Sequence, residues 1–550
     1  MGMRRSGKGH YLHRSLLDAP PTIEARVFLQ DPRVARTTKV GLTKVHVAGE
    51  AWLGHGPTSA RFRVVDRDHG AKTTHAAAAV LNDGTGFDVG RGDPATSYRF
   101  HQVNVWATVA RLLTHLESPK VFGRRIPWAF PSTRLELRPH AEVLENAYYD
   151  RESRSIRFGY FDMKGHRFYT CLSHDVIAHE FGHAVLDGLK PLYAESDGPD
   201  LAAFHEFFGD AVAMASALTM RDLITKLVST RPTKQSRDSL TNLRWIIDLM
   251  EEWGSAYGDR YIRSARNRMT MEKLRGNFEE HDRSLVLSGA TYDIFRAIYT
   301  YLRRRETAAD AVIHAADHTS RLVFRAIDYC PPAGLDFQTY ASAMLRADEV
   351  AYPVDDRGYR DMVRRVLARR GITPARCRSL SNNDLRPYDV EHVAASKTDA
   401  YVFLDQNREA LGIPRDVDVQ VAGLFKTRKA GVRGSFPPRE IVLEFVWREG
   451  VRLHGNDLGT LAGTVGELWC GGTLVFDTIG NILHYTLADG NQKRRRLLAS
   501  YLRYMVREGY LEDETDGAHA TRRARATVGP DGMLHVTRHA AARCAIRRSR

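Results

Sequence analysis

The stretch HDVIAHEFGHAVLDGL, residues 174–189, contains the pattern HExxH at His179, Glu180 and His183. Residues four apart on an α-helix lie one turn apart on the same face, so both imidazoles can bind one tetrahedral zinc ion. Glu180 then lies beside the metal without binding it, where its carboxylate can take a proton from a water molecule that the cation has made acidic. The apolar residues of the stretch can bury the helix, and Ser173 can cap it. The stretch therefore predicts a buried helix with a zinc site, one zinc ion per chain.

A second helix downstream offers the third ligand that a catalytic zinc site needs. In DLAAFHEFFGDAVAMASAL, residues 200–218, Glu206 and Asp210 lie one turn apart on the same face. We expect Glu206 to complete the zinc site and Asp210 to accept a hydrogen bond from the outer N–H of a zinc-binding histidine. Two carboxylates on so apolar a helix are costly to bury without such partners. His205 is the alternative ligand, but it points about 100° away from Glu206, and no carboxylate follows it one turn later.

These two helices resemble those of the thermolysin family of metallopeptidases, the gluzincins. HDVIAHEFGHAVLDGLKPLY is similar to the family's active-site helix, and FHEFFGDAVA is similar to its downstream helix. ENAYYDRESRSIRFGYFD is similar to its edge strand, and the match covers about residues 98–372. The resemblance implies a thermolysin-like domain that hydrolyses a peptide or protein substrate with zinc. It also implies that Asn146 and Ala147 contact the main chain of the bound peptide.

One helix departs from the family pattern. SLVLSGATYDIF resembles the family helix whose histidine donates to the transition-state oxyanion, but Leu285 stands at the matching position. His281, one turn earlier, is the nearest substitute, with Arg283 as a second donor toward the substrate. Tyr193 fits the place of a family tyrosine that also faces the oxyanion, although the intervening loop is one residue shorter. Donors of this kind are worth about 3 kcal/mol of barrier, so we expect His281, Tyr193 or Arg283 to matter for catalysis.

Calcium is a second departure from the family pattern. Asp175 matches a calcium ligand of the family, but Ala217 stands where the next carboxylate is expected. We therefore expect zinc and no structural calcium. Asp175 is then a first-turn carboxylate that the helix dipole favours.

Hydrophobic spacing along the chain predicts an α+β fold. It predicts helices at 98–117, 174–189, 200–218, 239–253, 284–303, 307–328 and 337–350, strands over 135–170, and a hairpin around Gly480 and Asn481. The predicted regions are a mainly-β N-terminal region (1–97), a thermolysin-like domain (98–376), a linker (377–386), an α+β accessory domain (387–510) and a basic, partly disordered tail (511–550). The thermolysin-like domain comprises a β-rich lobe with the active-site helix (98–190) and a helical lobe (191–376).

The formal net charge of +14 is unevenly distributed, because residues 491–550 contain fourteen Lys/Arg and six Asp/Glu, a net of 14 − 6 = +8. A solvated basic tail explains this excess, and contact with nucleic acid or another polyanion is the alternative. The five cysteines form no Cys-x-x-Cys pair, which argues against disulfides and against a thiolate zinc site. The chain has no apolar run of about 18 residues, which a membrane span requires. It also has no apolar stretch of about 7–15 residues near the N terminus, which a secretory signal requires. We therefore expect a cytoplasmic protein without a membrane segment.

Three functions remain open at this point. The first is a zinc metalloendopeptidase. The second is a metal-binding, weakly active scaffold whose C-terminal domain binds a protein or nucleic-acid partner, which the altered oxyanion helix keeps open. The third is a nucleic-acid-associated protease held by its basic tail.

Overall fold

The computed structural model describes residues 22–29, 41–49, 53–195, 198–221, 263–376, 378–431, 437–512 and 524–538, together with residues 32, 224–225, 228, 248–249 and 261. Helices and sheets are both present, so the fold is α+β. The longer described helices are α1 (Tyr98–Glu117), α2 (His174–Leu189), α3 (Pro199–Leu218), α4 (Glu280–Leu302), α5 (Ala308–Arg325), α6 (Phe337–Ala351), α7 (Tyr359–Arg369), α8 (Lys397–Gln406) and α9 (Gln492–Arg507). None of the described helices is both long enough and apolar enough to cross a membrane.

The N-terminal half is built around one mixed sheet. The described strands of this half are β1 (Thr22–Phe28), β2 (Leu42–Ala48), β3 (Phe62–Val64), β4 (Arg67–Asp68), β5 (Thr73–Thr74), β6 (Ala79–Val80), β7 (Phe87–Asp88), β8 (Leu135–Val143), β9 (Ala147–Asp150), β10 (Ser155–Met163) and β11 (His166–Tyr169). The pairs β1-β2, β4-β5 and β6-β7 form separate two-stranded sheets, and the other five strands form the mixed sheet. The sheet order is β11-β10-β8-β3, and β9 also pairs with β10. The strands predicted over 135–170 are confirmed. Because β3 pairs with β8, this sheet crosses residue 97, where the sequence analysis drew a domain boundary.

Helix α1 packs against this sheet and has the bounds that the sequence predicts. The Ser97 hydroxyl accepts a hydrogen bond from Phe100 N at 3.2 Å, which caps the helix. Trp106, on this helix, is completely buried. The Asn104 side chain donates to the Cys171 carbonyl at 2.9 Å, so α1 also holds the segment that leads into α2.

The helical lobe is built on α2 and α3, which pack side by side, with α4 against α3. The helices predicted at 174–189, 200–218, 284–303, 307–328 and 337–350 are confirmed with small shifts at their ends. The helix predicted at 239–253 is wrong at Asp248–Leu249, which form strand β12 and pair with β13 (Arg263–Ser264). Its remaining residues lie outside the described part of the chain. Strand β13 matters below because it positions Arg263.

The accessory region contains one seven-stranded sheet. Its strands are β14 (Gln420–Thr427), β15 (Glu440–Arg452), β16 (Val465–Asp477), β17 (Ile482–Ala488), β18 (Leu511–Glu512), β19 (Ala524–Val528) and β20 (Met533–Arg538). The strand order is β14-β15-β16-β20-β19-β18, and β17 also pairs with β16. The hairpin predicted around Gly480 and Asn481 is confirmed as the connection between β16 and β17. Residues 524–538 extend this sheet beyond residue 510, so the sequence analysis wrongly assigned them to a separate tail.

Buried ion pairs join the accessory sheet to the helical lobe. Lys190 Nζ contacts Glu444 Oε1, and both side chains are buried. Lys429 Nζ lies 2.9 Å from Asp328 Oδ2 and 2.7 Å from Glu440 Oε2. Removing one partner of such a pair leaves a buried charge without compensation and typically costs about 3–5 kcal/mol. The accessory sheet therefore contacts the helical lobe through buried charges that compensate each other.

Candidate metal centre

Helix α2 presents the HExxH residues on its buried side. His179, Glu180 and His183 have no exposed area, and their ligand atoms lie within 4.8 Å of one another. Ser173 occupies the N-cap position as predicted, but its hydroxyl makes no capping hydrogen bond. Asp175 lies in the first turn, where the helix dipole favours a carboxylate. Packing of its apolar surface, rather than a side-chain cap, therefore holds this helix.

Helix α3 brings Glu206 to the two imidazoles. Its Oε2 lies 3.6 Å from His179 Nε2, and its Oε1 lies 3.6 Å from His183 Nε2. Two ligand atoms that each lie about 2.1 Å from a tetrahedral zinc ion are about 3.4 Å apart. The three side chains therefore fit one zinc ion held by two nitrogens and one oxygen. The His205 ring packs beside His183 with centroids 5.7 Å apart, whereas Glu206 reaches both histidines, which favours Glu206 as the third ligand.

Two glycines allow α2 and α3 to approach this closely. A Cβ atom on Gly182 would lie 2.8 Å from Gly209 Cα, and a Cβ atom on Gly209 would lie 2.7 Å from His179 Nδ1 and Cε1. Contacts this short do not occur between packed atoms, so any side chain at Gly209 displaces the His179 ring. The glycines therefore set the position of His179 relative to Glu206.

Asp210 lies beside the first histidine. Its Oδ1 lies 3.1 Å from His179 Nδ1. Its Oδ2 accepts a hydrogen bond from Ser288 Oγ, on α4, at 3.0 Å. A carboxylate at Nδ1 draws the imidazole proton to that nitrogen and directs Nε2 toward the metal position. Ser288 is a supporting residue that the sequence analysis did not identify.

Neighbouring charges keep the carboxylates of the site ionised. Burial raises the pKa of Glu206, but the charge of His281 and the hydrogen bond from His179 outweigh burial and hold that pKa well below 4.5. Burial and the charge of Arg263 lower the pKa of His179, but Asp210 and Glu206 raise it to about 9. An ionised carboxylate is the form that binds a cation, and a cation that binds His179 displaces a proton.

His281 reaches the same site from the first turn of α4. Its Nε2 lies 3.4 Å from Glu206 Oε2, and its Nδ1 lies 2.9 Å from Glu279 Oε1. Burial lowers the pKa of His281, but Glu206 and Glu279 raise it above 6.5 overall. A protonated imidazole donates from both nitrogens, which suits a donor to an oxyanion. The structure thus brings His281 to the site although Leu285 occupies the position that the family pattern would give to a histidine.

Arg283 and Tyr193 do not take the predicted roles. Arg283 forms a buried ion pair with Asp200 in the first turn of α3 and donates to Asn277 O at 3.2 Å. Tyr193 is buried, and its hydroxyl donates to Pro331 O at 2.7 Å. Both donor groups are engaged in holding the helical lobe together. These contacts contradict the predictions that Arg283 contacts a substrate and that Tyr193 faces the oxyanion.

Strand β9 runs beside Glu180. Tyr149 N donates to Glu180 Oε2 at 3.0 Å, so this edge of the strand faces α2. Backbone groups alternate in direction along an antiparallel strand, so the main chain of Ala147 lies on the same edge. The Asn146 carbonyl points the other way and accepts from Gly159 N at 2.9 Å. The prediction for Ala147 therefore fits the strand, whereas the main chain of Asn146 is used within the sheet.

Arg263, on β13, is a residue of the site that the sequence analysis missed. Its Nη1 lies 3.0 Å from Glu206 Oε2 and its Nη2 lies 3.2 Å from His179 Nε2. Nη2 also lies 3.5 Å from Asp210 Oδ1. No motif surrounds Arg263, and the only signal for it was chemical, since two buried carboxylates on α3 require cations.

No family model matches this chain, and no curated protein matches it. The geometry of the site therefore carries the assignment of function.

The charges at the site balance when a divalent cation is counted. Glu180, Glu206 and Asp210 supply three carboxylates within the buried region between α2 and α3. A zinc ion and the guanidinium of Arg263 would supply three positive charges, and the protonated imidazole of His281 is compensated by Glu279. Because a buried charge without compensation is costly, this equality supports a divalent cation at the site.

Proposed function

We propose that this chain is a zinc-dependent metalloendopeptidase. The observation that carries the proposal is the convergence of His179, His183 and Glu206, with Glu180 buried beside them. Two imidazole nitrogens and one carboxylate form a ligand set that catalytic zinc sites use, because it leaves one position open. A further carboxylate that is not needed as a ligand can act as a base. This combination suits hydrolysis of an amide bond.

Each residue then has a separate task. A zinc ion held by the three ligands polarises the substrate carbonyl and lowers the pKa of a water molecule. Glu180 takes a proton from the attacking water and passes it to the leaving amine, and the Tyr149 N–H holds its Oε2 in a fixed orientation. His281, held at Nδ1 by Glu279, donates toward the oxygen on which negative charge develops.

An extended peptide is the substrate that the surroundings favour. The edge of β9 that carries the main chain of Ala147 faces the active-site helix, so a peptide can add there as a further strand. Arg263 donates from β13 to Glu206 Oε2 at 3.0 Å and holds this carboxylate at the site. A bound zinc ion would take the place of the contact between His179 Nε2 and Arg263, and the contacts of the guanidinium with Glu206 and Asp210 would remain.

The test is a peptide-library digestion with zinc-loaded full-length protein, in parallel with metal analysis. Wild type and Glu180→Gln should bind equal zinc, because Glu180 is not a ligand. Cleavage by Glu180→Gln should fall by several orders of magnitude, because the base is removed. Glu272→Gln, a matched substitution at an exposed position, should cleave as wild type does.

Two results would refute the proposal. Equal cleavage by wild type and Glu180→Gln would exclude Glu180 as the base. Full zinc occupancy without cleavage of any library peptide by the wild-type protein would favour the scaffold instead, since the metal site would then serve binding alone.

A further inference from the structure

A second group of metal-ligating side chains lies in the N-terminal lobe, away from the HExxH helix. His101 on α1, His140 on β8 and Cys171 just before α2 are all completely or almost completely buried, and their ligand atoms lie within 4.8 Å of one another. His101 Nδ1 and His140 Nε2 are 2.8 Å apart, and Cys171 Sγ lies 3.9 Å from His140 Nε2. Three different elements of the lobe thus bring a sulfur and two nitrogens to one point.

The outer nitrogens of the two rings decide where the protons lie. His140 Nδ1 lies 2.7 Å from Asp66 Oδ1, and His101 Nε2 lies 3.1 Å from Ala95 O. A carboxylate and a carbonyl can only accept, so both outer nitrogens must carry the proton. Gln102 Nε2 donates to the other Asp66 oxygen at 2.7 Å and holds that carboxylate in place.

This arrangement leaves two lone pairs directed at each other. The inner nitrogens, His101 Nδ1 and His140 Nε2, lie 2.8 Å apart, and only one further proton or a metal ion between them can satisfy both lone pairs. A metal ion bound to both nitrogens satisfies both lone pairs, and Cys171 Sγ lies close enough to supply a third ligand atom.

We propose that His101 Nδ1, His140 Nε2 and Cys171 Sγ bind a second zinc ion, which ties α1 and the main sheet to the segment preceding the active-site helix. Around tetrahedral zinc, two nitrogens are about 3.4 Å apart and a nitrogen and a sulfur about 3.6 Å apart. The observed separations of 2.8 and 3.9 Å differ from these by little more than half an ångström. Asp66 and Ala95 O provide the outer hydrogen bonds that zinc-binding histidines require.

The surroundings suit a structural rather than a catalytic ion. The rings of Tyr98 and Tyr169 pack on the two histidines, with centroids 4.9 Å apart for Tyr98–His140 and for His101–Tyr169. Cys171 binds a cation as the thiolate, so a bound zinc ion would replace the thiol proton. Cys171 precedes His179 by eight residues, so the ion fixes the start of the helix that presents the HExxH histidines.

Cobalt substitution of the full-length protein tests this site without relying on catalysis. A thiolate bound to Co²⁺ gives a sulfur-to-metal charge-transfer band in the near ultraviolet, and the HExxH ligand set contains no sulfur. We expect this band in the cobalt-loaded wild type and in His183→Ala, in which the first site is impaired. Cys171→Ser should lose the band. Cys330→Ser, a substitution of another completely buried cysteine, should keep it.

Zinc analysis gives the stoichiometry of the same variants. Wild type should retain about two zinc ions per chain after dialysis, and Cys171→Ser and His183→Ala about one each. A cobalt-loaded wild type without the sulfur band would overturn the proposal whether or not any variant folds, and would leave a hydrogen-bonded Asp66–His140–His101 chain. Because His183→Ala isolates the second site, failure here is distinguishable from failure of the proposed peptidase function.

Discussion

Replacing Asp210 by Asn probes how strongly the site depends on the orientation of His179. Asparagine has the same shape as aspartate, and its carbonyl oxygen can still accept from His179 Nδ1, which lies 3.1 Å from Asp210 Oδ1. Its amide group can donate to Ser288 Oγ in place of the bond that Ser288 now donates to Oδ2 at 3.0 Å. The substitution therefore removes the negative charge and leaves the geometry in place.

The expected loss of zinc affinity follows from replacing a charged hydrogen-bond acceptor by a neutral one. A hydrogen bond to a charged group contributes about 1.5–3 kcal/mol, against about 1 kcal/mol for a neutral one. The difference of about 0.5–2 kcal/mol, at about 1.4 kcal/mol for each tenfold change in affinity, means that Asp210→Asn should weaken zinc binding at the HExxH site about 2- to 30-fold. This range overlaps the loss of about 10- to 100-fold that is typical when a group behind a zinc-binding histidine is removed. Ser288→Ala leaves the charge of Asp210 in place and acts one residue further from the metal, so it should weaken zinc binding about fivefold or less.

Competition with a chromophoric zinc chelator measures both affinities in the Cys171→Ser background, which isolates the HExxH site. Circular dichroism controls for folding. If Asp210→Asn binds zinc as tightly as its parent, or if Ser288→Ala is the weaker binder of the two, Asp210 does not orient a zinc-binding histidine.

Three other predictions rest on contacts described above. His281→Ala should lower kcat about 10²–10³-fold with little change in KM or zinc content; an unchanged kcat in steady-state assays would remove it from the mechanism. Gly209→Ala should displace the His179 ring and lower kcat/KM about 10²-fold, and wild-type kinetics would contradict the close approach of α2 and α3. Burial raises the pKa of Asp328, but Arg124 and a buried lysine lower it to about 2, below the ordinary 3.8. The stability that Asp328 contributes is therefore present above about pH 4 and lost as pH falls through about 2. Urea unfolding should show this loss in wild type and not in Asp328→Asn, and parallel pH profiles would disprove it.

The residues that the sequence and the structure both place together are those whose geometry is local. His179 and His183 are four apart on one helix, as are Glu206 and Asp210 on the next, so helical periodicity alone places each pair on one face. Burial of such polar pairs on apolar helices then requires that the two faces meet. The hairpin at Gly480 is likewise determined by a short turn between two strand patterns.

The residues predicted wrongly depend on partners far away in the chain. Tyr193 bonds to a carbonyl 138 residues later, and Arg283 pairs with a carboxylate 83 residues earlier, which no periodicity reveals. Arg263 enters the site through a two-residue strand pairing that has no sequence signal of its own. The second histidine and cysteine cluster was missed for the same reason, because its three residues come from three separate elements.

The most direct test of the central claim is an anomalous difference map at the zinc edge from crystals of the zinc-loaded protein. The account predicts a peak about 2.0–2.2 Å from His179 Nε2, His183 Nε2 and one oxygen of Glu206. A peak bound by His205 in place of Glu206, or no peak between α2 and α3 in a protein that still cleaves peptides, would contradict it.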